Sequence, residues 1–74
     1  MKEKIRKLLS ESLPAVDFDS DFLFAEIDSL GVATILLVLS AEFGIKLDAS
    51  DATPANLRSL DALTAMVESK INVR

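Results

Sequence analysis

The sequence predicts an all-α protein: a small four-helix bundle of three main helices plus one short helix, with a long loop between helices one and two. Three observations carry this. Apolar residues recur at helical spacing in three separate stretches, Ile5–Leu13, Val32–Phe43 and Leu60–Ile71. Helix stop and start signals stand at the ends of those stretches, with Pro14 and Gly44 as stops and Asp28 and Ser59 as starts. The chain has 74 residues, half of them hydrophobic and none of them cysteine. That is one small domain, whose marginal core must be strongly apolar because no disulfide can assist it.

The first helix is predicted from Lys2. Ile5, Leu8, Leu9 and Leu13 fall on one face, with Lys2, Glu3, Arg6, Lys7 and Glu11 on the other. Pro14 lacks an N–H and restricts Leu13, so this helix should end near Ser12. Residues 14–28 then form a connection longer than a compact domain normally tolerates unless its own side chains pin it down. Three of the four phenylalanines lie there, Phe18, Phe22 and Phe24. Phe22 and Phe24 are expected to serve as its core anchors. Asp17, Asp19 and Asp21 give a D-x-D-x-D run like the start of a calcium-binding EF-hand loop. Its sixth position is Phe22 where glycine is needed, and its twelfth is Asp28 rather than glutamate, which leaves only weak divalent binding to solvated acids.

The second main helix is predicted over Ser29–Phe43, with Gly44 as its left-handed stop. Val32, Ile35, Leu36, Leu39 and Phe43 share the core face. The opposite face holds Leu30, Thr34, Leu37 and Ala41, with Val38 at its edge. A surface helix normally carries charge there. In so short a chain that apolar face is expected to be a docking surface. Ile45 and Leu47 can pack inward from an irregular segment, and Asp48, Ser50 and Asp51 suit turns and caps. Pro54 is placed to begin a short helical turn holding Leu57. Ser59 or Asp61 should cap the last helix, whose apolar face is Leu60, Leu63, Met66, Val67 and Ile71, and Asn72–Arg74 should fray.

Composition excludes several functions. With no histidine and no cysteine, the common general base and the thiol nucleophile are both missing. A Ser-His-Asp site and a Cys/His zinc site cannot be built. The chain is therefore expected not to be an enzyme. The net charge of −4 argues against nucleic acid and favours basic protein partners. The apolar run Val32–Leu39 is too short to span a membrane, and the charged, amphipathic start is unlike a signal peptide. The lack of cysteine suits a reducing compartment, so the expected location is the cytoplasm.

The most informative stretch is Ile27-Asp28-Ser29-Leu30-Gly31-Val32. Asp28 is a good N-cap, since its carboxylate can accept from the first-turn N–H groups. Ser29 would be the first helical residue, near the positive end of the helix dipole, where a phosphate is favoured. On these residues alone the simpler reading is a capped helix with one more polar residue in its first turn. The wider context changes the balance. A helix, a long acidic and aromatic loop, Asp28-Ser29-Leu30 opening a second helix, then a short helix and a last helix: this order resembles an acyl or peptidyl carrier protein over nearly the whole chain. Glu42-Phe43-Gly44-Ile45-Lys46-Leu47 resembles that family's end of helix two, and Asn56-Leu57-Arg58-Ser59-Leu60-Asp61-Ala62-Leu63 resembles its passage into the last helix.

The resemblance implies that residues 1–74 form one phosphopantetheine-binding carrier domain, expected to be monomeric. Ser29 would bear a covalent 4′-phosphopantetheine arm, attached from coenzyme A by a separate magnesium-dependent phosphopantetheinyl transferase, and Asp28 would cap the helix and orient Ser29. The arm would hold an acyl or aminoacyl group as a thioester. The implied partners are that transferase, an acyl- or aminoacyl-activating ligase and downstream enzymes that consume the acyl group. The expected docking residues are Leu30, Thr34, Leu37, Val38 and Ala41. Two departures from the family stand out. Ala25, Glu26 and Ile27 occupy positions where a glycine often precedes the aspartate. Gly31, Thr34, Ser40 and Ala41 occupy positions where fatty-acid carriers have acids, so that only Glu42 remains. These point to a specialised carrier rather than one of general fatty-acid synthesis. D-alanyl carriers and free-standing peptidyl carriers resemble the chain in having a glycine soon after the serine. Two other readings stand beside it: an unmodified helical interaction module using the Leu30/Leu37 face, and a small acidic divalent-ion-binding domain using Asp17, Asp19 and Asp21.

Overall fold

The computed structural model describes residues 1–73. Its elements are α1 (Lys2–Ser12), α2 (Leu23–Glu26), α3 (Ser29–Phe43), a 3-10 turn (Ala49–Asp51) and α4 (Leu60–Val73). Among the described residues there is no strand. The expected all-α bundle is therefore observed, with α1, α3 and α4 packed pairwise around one core.

Each main helix follows its sequence signals. α1 buries Ile5 and Leu9 and closes with the Leu13 N–H donating to the Leu9 carbonyl at 2.7 Å. Leu13 itself leaves helical geometry, as a residue before proline must. α3 centres its core face on fully buried Ile35 and Leu39, with Val32 and Phe43 half-buried against the cluster. It ends at Gly44 with φ 61°, and the Ile45 N–H donates to the Ser40 carbonyl at 3.3 Å. That is the left-handed closure a glycine makes without a Cβ penalty. Ile45 is buried and Leu47 packs beside it.

The C-terminal half is tied together by short-range caps. The Asp48 carboxylate accepts from the Ser50 N–H at 3.0 Å while Asp51 accepts from the Asp48 N–H at 3.1 Å. The helical turn begun at Pro54 is present: the Leu57 N–H donates to the Thr53 carbonyl at 3.0 Å, and Thr53 Oγ1 caps it by accepting from the Asn56 N–H at 3.1 Å. Leu57 is fully buried. Ser59, rather than Asp61, caps α4, accepting from the Ala62 N–H at 3.2 Å. Asp61 instead pairs with Lys2 at 2.8 Å. α4 buries Leu60, Leu63, Met66 and Val67. It continues through Asn72 to Val73, past the point where fraying is expected, and Arg74 lies outside the described residues.

The long loop needs a correction. Its anchors are not Phe22 and Phe24, which are 72% and 41% exposed. They are Phe18, 3% exposed, and Leu23, fully buried. The cause is the short helix α2. Its Leu23 N–H donates to the Arg58 carbonyl at 2.9 Å, which pins that turn to the C-terminal half. Successive helical residues point about 100° apart, so an inward Leu23 turns its neighbours outward. Two of the loop's acids have partners within the chain. Asp17 accepts from the Asp19 N–H at 3.0 Å, and Asp19 pairs with Arg6 of α1 at 3.0 Å.

Candidate functional site

The site is the junction between α2 and α3. Ile27 and Asp28 are extended, and Asp28 turns the chain into α3. Asp28 Oδ1 accepts from the Gly31 N–H at 2.7 Å, and the Asp28 carbonyl accepts the first helical bond from the Val32 N–H at 2.9 Å. Ser29 is thus the first residue of α3, and it is exposed. No hydrogen bond ties its hydroxyl to another described residue. The amides of Ser29 and Leu30 stand too early in the helix to find an intrahelical carbonyl. An exposed hydroxyl therefore sits where partial positive charge collects, with the neighbouring carboxylate fixed on the helix rather than swinging over it.

The packing role of Gly31 is what sequence reasoning missed here. It is buried, and a Cβ on it would lie 2.6 Å from Ile27 Cγ2 and 3.3 Å from Asp28 Oδ1. α3 thus starts so close to the preceding segment that a side chain at this position would force Ile27 to shift. The signal was a glycine in the first turn of a helix, where its poor propensity needs a packing reason. Beside it lies an open cleft of about 310 Å³, lined by Leu13, Ala15, Val16, Glu26, Ile27, Asp28 and Gly31.

The outer face of α3 runs away from the junction. Leu30 is 75% and Leu37 72% exposed, and Ala41 is exposed in line with them. Thr34 is half-buried and donates its hydroxyl to the Leu30 carbonyl at 2.9 Å. Val38 is half-buried and packs against the core rather than facing fully outward. Glu42, the acid of α3, pairs with Lys4 at 3.0 Å. Among the described residues no three of His, Cys, Asp or Glu stand together as a metal-binding group, and no helix is long and apolar enough to cross a membrane.

A family model described as "Phosphopantetheine attachment site" covers residues 1–67. No curated protein and no solved structure matches the chain.

Proposed function

Since the chain belongs to the phosphopantetheine attachment-site family, whose members carry a covalently attached 4′-phosphopantetheine, we propose that Ser29 is the attachment residue and that the chain is a carrier rather than an enzyme. The observation that carries this reading is the free, exposed Ser29 hydroxyl at the start of a capped helix. The residues fit the group. A phosphodiester at Ser29 would meet first-turn amides without intrahelical partners. The cradle at Gly31 keeps Asp28 locked in its capping position beside the serine. In the attachment step, Ser29 Oγ forms a bond to phosphorus of coenzyme A as the bond to the nucleotide half breaks. The hydroxyl proton passes to a base of the transferase, which explains why a chain without histidine suffices. Bound, the arm supplies a thiol that holds an acyl or aminoacyl group as a thioester.

The remaining assignments rest on α3. Leu30, Leu37 and Ala41 form an exposed apolar stripe, with Thr34 and Val38 flanking it. We read this stripe as the surface on which the transferase, the activating ligase and the downstream enzymes dock. Its lack of acids favours a dedicated loading enzyme and a specialised cargo. The test of attachment is the intact mass of the protein after incubation with coenzyme A and a broad-specificity phosphopantetheinyl transferase. Wild type should gain one phosphopantetheine. Ser29→Ala should gain none and keep its fold, because removing an exposed hydroxyl costs well under about 1 kcal/mol. A Ser29→Ala protein that still gains the mass places the site on another residue.

A further inference from the structure

We infer that Ile27 and Gly31 are positioning residues for the attachment step. Their contact fixes how the chain enters α3, and so sets the relation between the Asp28 carboxylate and the Ser29 hydroxyl that the transferase meets. This inference rests on the attachment at Ser29. Ile27 stands just before the N-cap Asp28, extended and half-buried against the core. A residue at that place fixes the entry angle of the chain by packing on the start of the helix. Here it packs on Gly31, where a Cβ would lie 2.6 Å from Ile27 Cγ2 and 3.8 Å from Ile27 Cβ. The same Cβ would stand 3.3 Å from Asp28 Oδ1, the oxygen that accepts from the Gly31 N–H at 2.7 Å. One glycine thus receives both the Ile27 branch and the Asp28 carboxylate.

The contact acts on Ser29 through the backbone and through Asp28, not by touching it. Ser29 and Gly31 are two residues apart, about 200° round the helix, and Gly31 is buried while Ser29 is exposed. What links them is Asp28. Its peptide unit leads directly into Ser29, and its carboxylate is held by the Gly31 amide. No ion pair or second hydrogen bond holds that carboxylate among the described residues, so its placement depends on the approach at Gly31. Bringing a 2.6 Å contact to an ordinary 3.4 Å or more requires a movement of about 1 Å, and a misplacement of that size can cost about 10²-fold in rate. Ile27 has little freedom to rotate its branch aside, because a β-branched side chain is stiff at χ1. The movement therefore passes to the Ile27–Asp28 backbone, which carries the carboxylate with it. The exposed Leu30, Leu37 and Ala41 lie outside this contact, so docking on α3 and placement of the reacting hydroxyl are separable.

The experiment follows transfer of the arm from saturating coenzyme A to the whole apo chain by the broad-specificity transferase, and separates kcat from KM for the chain. Mass gain is measured first. A wild-type chain that gains none, or a Ser29→Ala chain that gains one arm, overturns both the inference and the reading it rests on, and the mass alone identifies that case. Gly31→Ala, shown to be folded by circular dichroism at the assay temperature, should keep KM within about twofold and lose about tenfold or more in kcat. Adding Ile27→Leu, which removes the colliding branch, should return kcat to within about threefold of wild type, a coupling that only residues in contact show. The scalar coupling across the hydrogen bond from the amide at position 31 to the Asp28 carboxyl should weaken and recover in step. Val67→Ala, at a fully buried position of α4, is a destabilised control away from the junction and should keep its kcat. If Gly31→Ala does not fold, Ile27→Ala replaces it: it makes no clash, loosens the same contact and should also lose kcat. A folded Gly31→Ala or Ile27→Ala chain with wild-type kcat overturns the inference and leaves the attachment standing. So does a loss confined to KM, a loss in Gly31→Ala that Ile27→Leu does not recover, or an equal loss in Val67→Ala.

Discussion

At Gly31 two effects of opposite sign meet. Alanine is a better helix former than glycine by up to about 1 kcal/mol, so the substitution would ordinarily stabilise α3. Here the new Cβ would stand 2.6 Å from Ile27 Cγ2. That atom belongs to a β-branched side chain with little freedom at χ1, and overpacking of this kind costs roughly 1–3 kcal/mol. We therefore expect Gly31→Ala to lower the melting temperature, and Ile27→Leu, which removes the colliding branch, to restore much of the loss in the double variant. A Gly31→Ala protein more stable than wild type would show that the junction relaxes freely. Asp48 offers a second test at this scale. The Ser50 hydroxyl, and after it the Ser50 N–H, donate to its carboxylate and hold it below the usual carboxylate range, against a smaller opposing effect of desolvation. A depressed carboxyl contributes stability above its unfolded pKa, and that contribution is lost as pH falls through the lower folded value. Removing the donor in Ser50→Ala should raise the Asp48 titration midpoint toward the ordinary value, followed by carboxyl carbon shifts in NMR. An unchanged midpoint would mean that the backbone N–H alone sets it.

At the scale of the element, α3 joins a buried face centred on Ile35 and Leu39 to an outer stripe with no charge in it. The polar group on that stripe, the Thr34 hydroxyl, is turned back onto the Leu30 carbonyl, and Glu42 is engaged by Lys4. On the proposed reading of this stripe as a docking surface, what α3 offers a partner is apolar shape, with the exposed Leu30 and Leu37 as its protruding side chains. Leu37→Asp changes an exposed position and should cost under about 1 kcal/mol in stability, leaving circular dichroism and melting close to wild type. We expect it nevertheless to abolish most loading by the cognate ligase, since a carboxylate would have to be desolvated in an apolar contact. Exposed charges are screened over roughly 8 Å at physiological ionic strength, so raising salt from low to physiological levels should change wild-type loading little. Normal loading of the folded variant, or collapse of wild-type loading over that salt range, would move recognition to the acids of the loop.

For the whole molecule, the parts legible in the sequence were those with repetition. The stripes of α1, α3 and α4 each return to one face several times, and their ends carry Pro14, Asp28, Gly44 and Ser59, so helix type and limits followed from spacing and capping. The start of α3 as a candidate site was legible for the same reason. The loop was not. α2 is four residues long, too short for any period to show, and helices that short do not hold without tertiary contacts. The sequence there states that apolar anchors exist, with three phenylalanines close together, but not which of them turn inward. Gly31 was hidden similarly, because its role depends on a close approach to Ile27 that only the folded junction creates. The resulting assignment of the loop can be tested by truncation. Leu23 is fully buried and tied by its backbone to Arg58, so Leu23→Ala should cost about 2–5 kcal/mol, and Phe18→Ala about 3–5 kcal/mol. Phe22, mostly in solvent, should tolerate Phe22→Ala within roughly 0.5 kcal/mol. In denaturant melts the first two variants should therefore shift strongly and the third hardly at all. The large phenylalanine ring would then matter less to the fold than its smaller neighbour. If Phe22→Ala instead loses as much as Leu23→Ala, the loop packs on its aromatic side and α2 is turned the other way. If none of the three shifts, the loop is a tether and the junction at Ser29 is held by α3 alone.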